Sequence, residues 1–312
     1  MKENCLNHTI PNFLLKNFRI SGTSSGIFYL DMVGTINQKN TKNRSELFNL
    51  KDFYSKKPLT ELLKNKPHIE INPIFKKLDE PLEKNLDTFI EKPFSTIVNK
   101  IIETKNLNIL ASEDLCFIKE YLMIQFIRTS RYKEDVKYLG SKMEILSINE
   151  ISRLIVQFAR NNCNASSPRV NSQSREVRQE AQRIRLRLAY WKDPDFHSAE
   201  IIDKNKRDAF YQKTGLHEKN VSLLLNETQS PFILPDTGVT LIDDSGSIEI
   251  LLPLNPLMCL KFSGDTEKIT KIADETSINS INVLSLKDSF KAVFSDRKEY
   301  LEELWKSMSS VN

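Results

Sequence analysis

Five polar residues in this chain are of the types that move protons or hold phosphate charge: His8, Glu91, Gln125, Arg128 and Asp236. Gln125 and Arg128 form the sharpest pair. They lie three residues apart in a greasy segment that runs from Leu115 to Ile127, so on a helix they share a face. Tyr121 falls one turn before Gln125, and Tyr132 one turn after Arg128. An arginine keeps its proton in a protein, so a buried one needs an anion or a carbonyl from elsewhere in the chain or from a ligand.

These residue types would suit phosphodiester cleavage. His8 would be the general acid or base, Arg128 would stabilise phosphate charge, and Gln125 would position Arg128 or the substrate. Glu91 or Asp236 would orient His8 or hold a divalent metal. The plainer reading stands beside it: His8 caps or packs a helix, Glu91 is solvated, and Arg128 is a strut paired to Glu91 or Asp236. In that case the protein is a non-catalytic module that senses nucleic acid or a nucleotide. Group transfer from a nucleotide is a third option.

A second cluster follows the polar stretch Asn161 to Pro168, which reads as a hinge. Arg175, Arg178, Arg183, Arg185 and Arg187 crowd a segment that holds Glu176 and Glu180. On a helix Arg178 and Arg185 share a face, as do Arg183 and Arg187. This is either a phosphate-tracking surface, whose affinity would fall with salt, or a solvated face with snorkelling stems.

Several templates do not occur. There is no HExxH, no GxGxxG and no P-loop, and the four histidines have no metal-ligand spacing. Asp236 and Glu249 stand in the order of a nuclease carboxylate pair, but no lysine follows at the required spacing. The net charge of +4 is too small to identify a nucleic-acid partner by itself. The four cysteines include no CxxC pair, which favours a reduced, cytoplasmic setting. No signal peptide is expected, and no apolar run approaches the ~20 residues of a membrane helix.

The elements that must position these residues follow from periodicity and breakers. Pro11 starts a short helix that places Phe13, Leu14 and Phe18 as apolar contacts. A turn over Gly22 to Gly26 precedes a strand, and a Lys/Asn-rich excursion from Gln38 to Lys77 is anchored at Phe53-Tyr54-Ser55. Helical spacing returns over Asp79 to Glu103, where Pro93 breaks or restarts the helix beside Glu91. Ile145 to Ala159 reads as an amphipathic helix. Phe232–Leu234, Val239–Ile242, Ile248–Leu252 and Leu257–Phe262 read as strands, with a hairpin turn at Asp243 to Gly246. The tail alternates helix and turn.

The expected class is α+β: a mainly helical body around a central buried helix, residues 113–139, with one small antiparallel sheet built from N- and C-terminal parts. Residues 1–312 form a single domain, divisible into an N-terminal half, 1–160, and a second half, 168–312. Protein partners or a homo-oligomer are compatible with this outline.

Six short pieces in order give a resemblance over nearly the whole chain. They are His8-x-x-Pro11 through Asn17-Phe18, Asp52-Phe53-Tyr54, Phe89-Ile90-Glu91, Gln125-Phe126-Ile127-Arg128-Thr129, Phe232-Ile233-x-x-Asp236 and Leu252-Pro253-Leu254, with Asn282 before the closing helices. This pattern resembles the bacterial family known as domain of unknown function four-two-three-eight. After Asp236 this chain has Thr237-Gly238 where that family has Asn-Pro. The resemblance implies a cytoplasmic prokaryotic protein from accessory, mobile or phage-defence gene sets, a toxin among them, and it carries no settled activity.

Overall fold

The structure is a computed structural model that describes residues 6–8, 10–31, 34–40, 49–51, 54–64, 66, 68–128, 156, 178–179, 181, 194–244, 247–264, 270–289 and 292–309. The Leu115–Ile127 run forms the later turns of a helix, α5 (Ser112–Arg128). Its last two turns are buried on nearly every side, with Tyr121, Leu122, Met123, Ile124, Gln125, Ile127 and Arg128 inside and Phe126 half-buried. A helix without a polar face must be wrapped. Here the wrapping comes from α4 (Lys92–Thr104) on one side and from α6 (Pro194–Ile202) and α7 (Lys204–Thr214) on the others. The expected extension of this helix to residue 139 lies outside the described residues, as do the hinge at 161–168 and all of the helix at 145–159 except residue 156.

The N-terminal part contributes β1 (Leu6–His8), α1 (Asn12–Asn17), β2 (Gly26–Asp31), β3 (Ile36–Asn40) and β4 (Asn49–Lys51). Leu14 and Leu15 of α1 are buried, and the Asn17 side-chain amide donates to the Leu254 carbonyl at 3.1 Å, which docks α1 on a late strand. α2 (Leu59–Leu63) and α3 (Leu82–Asn85) follow.

The expectation of one small antiparallel sheet is corrected. The described residues form two sheets and a two-stranded ribbon. The four-stranded sheet runs β3-β2-β11-β6, where β6 is Leu234–Pro235 and β11 is Ala292–Ser295, and every pairing in it is antiparallel. The five-stranded sheet is mixed. It runs β10-β5-β9-β8-β7, from β5 (Asn220–Asn226), β7 (Thr240–Asp244), β8 (Ser247–Asn255), β9 (Met258–Ser263) and β10 (Thr270–Ala273), and β10 lies parallel to β5. The late hairpins therefore do not share a sheet with the N-terminal strands.

Side-chain alternation explains the second sheet. Leu223, Ile250, Leu252, Leu260 and Phe262 face the main core. Leu224, Leu251 and Cys259 point the other way, onto Ile278 of α8 (Glu275–Asp288). A sheet covered on both faces buries nearly every residue of its inner strands, so it cannot serve as the solvated edge of another. The four-stranded sheet is covered by α9 (Lys298–Ser309), through Tyr300, Leu301 and Leu304. Asn282 ties these parts together: its side chain accepts from the Ile233 amide at 3.2 Å and donates to the Pro231 carbonyl at 2.7 Å.

Candidate functional site

Glu91 owes its placement to Pro93. A proline inside a helix has no N–H to donate, and its ring collides with the carbonyl four residues back. The chain meets this by widening: Leu86–Glu91 is a π-helical segment between α3 and α4, in which the Lys92 amide reaches five residues back to the Asp87 carbonyl. Such bulges often mark functional sites. Glu91 is the last residue of this one.

Arg128 meets Glu91 from the far end of α5. Its Nη1 donates to Glu91 Oε1 at 2.7 Å. The Arg128 side chain is 1% exposed and that of Glu91 17% exposed, so the pair is asymmetric: the cation is interior and the carboxylate reaches the surface. Two buried phenols flank the guanidinium. Tyr54 hydrogen-bonds it, and Tyr121 lies within its field. Burial pushes both phenols well above the usual tyrosine range, with Arg128 pulling the other way. Burial also opposes the charge on Arg128, but the hydrogen bond to Tyr54 and the carboxylates of Glu91 and Glu83 outweigh it and keep the guanidinium protonated.

Tyr54 is itself held in place. Its ring stacks on His197 of α6, with centroids 5.8 Å apart. Next to it the Ser55 amide donates to Ser198 Oγ at 2.8 Å, and the Ser55 hydroxyl donates to Asp195, which also receives Lys57. Burial opposes ionisation of Asp195, but the bonds from Lys57 and Ser55 hold its carboxyl below the usual range.

Gln125, one turn before Arg128, fastens the helix to the crossing between the two sheets. Its Nε2 donates to the Thr237 carbonyl at 3.1 Å, and its Oε1 lies 3.5 Å from the Tyr121 hydroxyl. Asp236 belongs to this crossing. It is buried, its amide donates to the Ala292 carbonyl at 3.1 Å, and the Pro235–Gly238 turn closes at 2.8 Å. Gly238 has φ +73, and a Cβ there would stand 2.9 Å from Gln125 Nε2. Gly238→Ala is therefore expected to cost about 1–3 kcal/mol in a denaturant titration, because a left-handed backbone and a steric clash coincide.

A cleft of about 470 Å³ opens beside Glu91. Asn12, Phe13 and Lys16 of α1 line one wall; Glu83, Lys84, Asp87 and Glu91 line another, with Lys92 and Ser95 beside them. Phe13 sets an edge against Phe94 at 5.7 Å, and Phe94 stacks on Tyr121 at 3.6 Å, so an aromatic column leads from the cleft to the Arg128 chamber.

Glu91, Gln125 and Arg128 are thus brought together, and the Asp236 turn rests on Gln125. His8 ends β1, paired to Asn49 in the ribbon just before α1; its side chain lies outside the described residues. Arg178 is an exposed helical residue, while Arg175, Arg183, Arg185 and Arg187 lie outside the described residues. No group of three or more His, Cys, Asp or Glu side chains among the described residues could hold a metal ion. Tyr54, Glu83, Phe13, Lys16 and Lys84 are not among the residues that the sequence marks for chemistry. Tyr54 and Phe13 carried a signal as aromatics in the anchor and the first helix; the charged three carried none.

A family model described as "Protein of unknown function (DUF4238)" matches residues 7–299. No curated protein and no solved structure matches the chain. No helix among the described residues is long and apolar enough to cross a membrane.

Proposed function

The chain belongs to the DUF4238 family, and from the cleft we propose a nuclease-like protein that cleaves phosphodiesters in nucleic acid, with Glu91 as the proton-transferring group and Arg128 as its positioning residue. The observation that carries this reading is the asymmetric pair: a carboxylate at a cleft wall, held at 2.7 Å by a guanidinium that does not itself reach the surface. A group so held keeps one oxygen occupied and leaves the other to accept a proton from the attacking hydroxyl or water as the new P–O bond forms. His8 would return a proton to the departing oxygen, with Asp236 orienting it. The arginines between Arg175 and Arg187 would supply the electrostatic footprint in a cytoplasmic setting.

A second reading, recognition without chemistry, is favoured by the burial of Arg128. At 1% exposure it cannot touch a substrate phosphate and serves equally well as a strut in a sensing module. Incubation of the purified protein with labelled RNA and DNA, with and without divalent metal and chelator, separates the two. Cleavage that is lost in Glu91→Gln supports the hydrolytic reading. Binding with no cleavage under any condition leaves the sensing module, and neither binding nor cleavage ends both.

A further inference from the structure

The charges lining the cleft are unevenly satisfied. Asp87 takes Lys92 at 2.7 Å, and Glu91 takes Arg128 at the same distance. Glu83 is close enough to Arg128 for its charge to be felt there. Lys16 and Lys84, exposed on opposite walls, pair with no carboxylate among the described residues. Two cations facing one space, with Asp87 and Glu91 already engaged by Lys92 and Arg128, suit an anion that bridges them, and phosphate is the anion the proposed reaction supplies.

Phe13 adds a second requirement. It is the aromatic side chain lining the cleft, half-buried, its ring braced by Phe94 at 5.7 Å and by Tyr121 at 6.5 Å. A braced, partly exposed ring beside phosphate-binding cations is how single strands are held, since every base has a π-face and stacking is indifferent to sequence. Bases in a duplex are already stacked and present no such face without unstacking. The volume, about 470 Å³, falls among pockets that enclose a small ligand and leaves room for about one nucleotide unit.

We infer that the cleft receives one unstacked nucleotide of single-stranded nucleic acid, Phe13 stacking on its base while Lys16 and Lys84 take its phosphate. This rests on the nucleic-acid reading above but not on its chemistry, because stacking and phosphate contacts form whether or not a bond is cut.

The test is fluorescence anisotropy of the full chain with labelled oligoribonucleotide and oligodeoxynucleotide single strands, and with the matching duplexes, over a salt series. Single strands are expected to bind at least tenfold more tightly than duplex. Phe13→Leu, which keeps the apolar packing but removes the ring, weakens single-strand binding on the order of tenfold, and Phe13→Tyr restores it. Lys16→Ala and Lys84→Ala each lower the salt slope by roughly 0.7, with melting temperature unchanged. Equal or tighter binding of duplex, an unaffected Phe13→Leu variant, or no binding of any strand overturns the inference. Tight single-strand binding without cleavage would sustain it while removing the hydrolytic reading.

Discussion

Arg128→Ala is expected to lower the stability of the folded chain by about 3–5 kcal/mol, read as a shift of the midpoint in a denaturant titration at neutral pH. The arginine lies against a carboxylate and a fully buried phenol that both lose their donor in its absence. Glu91 loses its counter-charge with only 17% of its side chain exposed, the Tyr54 hydroxyl loses a donor in a fully buried position, and the space left behind lies between Tyr54 and Tyr121. Each is among the mechanisms that give large mutational losses. Arg128→Lys restores the charge but not the planar fork, so it recovers part of the loss. Arg178→Ala, by contrast, removes an exposed arginine and should change stability by no more than about 0.5 kcal/mol. A small effect at Arg128 would mean that the guanidinium is not the organising charge of this half of the molecule.

Glu91→Gln carries the second large effect, on activity. The amide keeps an oxygen for Arg128 to donate to, so the fold and the π-helical segment are expected to persist with an unchanged far-ultraviolet spectrum. What disappears is the basic oxygen facing the cleft. General acid–base contributions run to roughly 10²–10⁴-fold, and cleavage of labelled nucleic acid should fall by that amount under single-turnover conditions. Asp87→Asn is the control. Asp87 lines the same cleft but is exposed and engaged by Lys92, so its loss should leave the rate within about threefold. If Glu91→Gln and Asp87→Asn behave alike, the carboxylate held by Arg128 has no special place in the chemistry.

How much of this was legible in the sequence depends on the range of the interaction. The central helix could be read from its all-round apolar run, and the Gln125/Arg128 face from helical spacing alone, because both are local. The break at Pro93 was also local, although its form, a π-helical widening that carries Glu91, was not. The pairing of Glu91 with Arg128 depends on how α4 and α5 pack, and either carboxylate, Glu91 or Asp236, satisfied the sequence equally well. The sheets were the largest loss. Asn220–Asn226 reads Asn-Val-Ser-Leu-Leu-Leu-Asn without alternation because both of its faces are covered, and Ala292–Ser295 is four buried residues in a tail of helical pattern. Short runs buried on both sides carry no period by which to recognise a strand. Tyr54 shows the same limit at the site itself: the anchor segment was evident, but its proximity to Arg128 depends on α6, whose His197 and Ser198 hold it from more than 140 positions away.

Arg128 is proposed to act through Glu91 and not as an independent core residue. A double-mutant cycle tests this directly, with Arg128→Met, Glu91→Gln and the pair measured by denaturant unfolding. The prediction is a coupling of about 1–3 kcal/mol: the double variant is less damaged than the sum of the two singles, since each single leaves one charge without its counter-charge and the double leaves neither. Strictly additive losses would contradict it, and would leave a buried arginine and a cleft carboxylate that merely happen to touch.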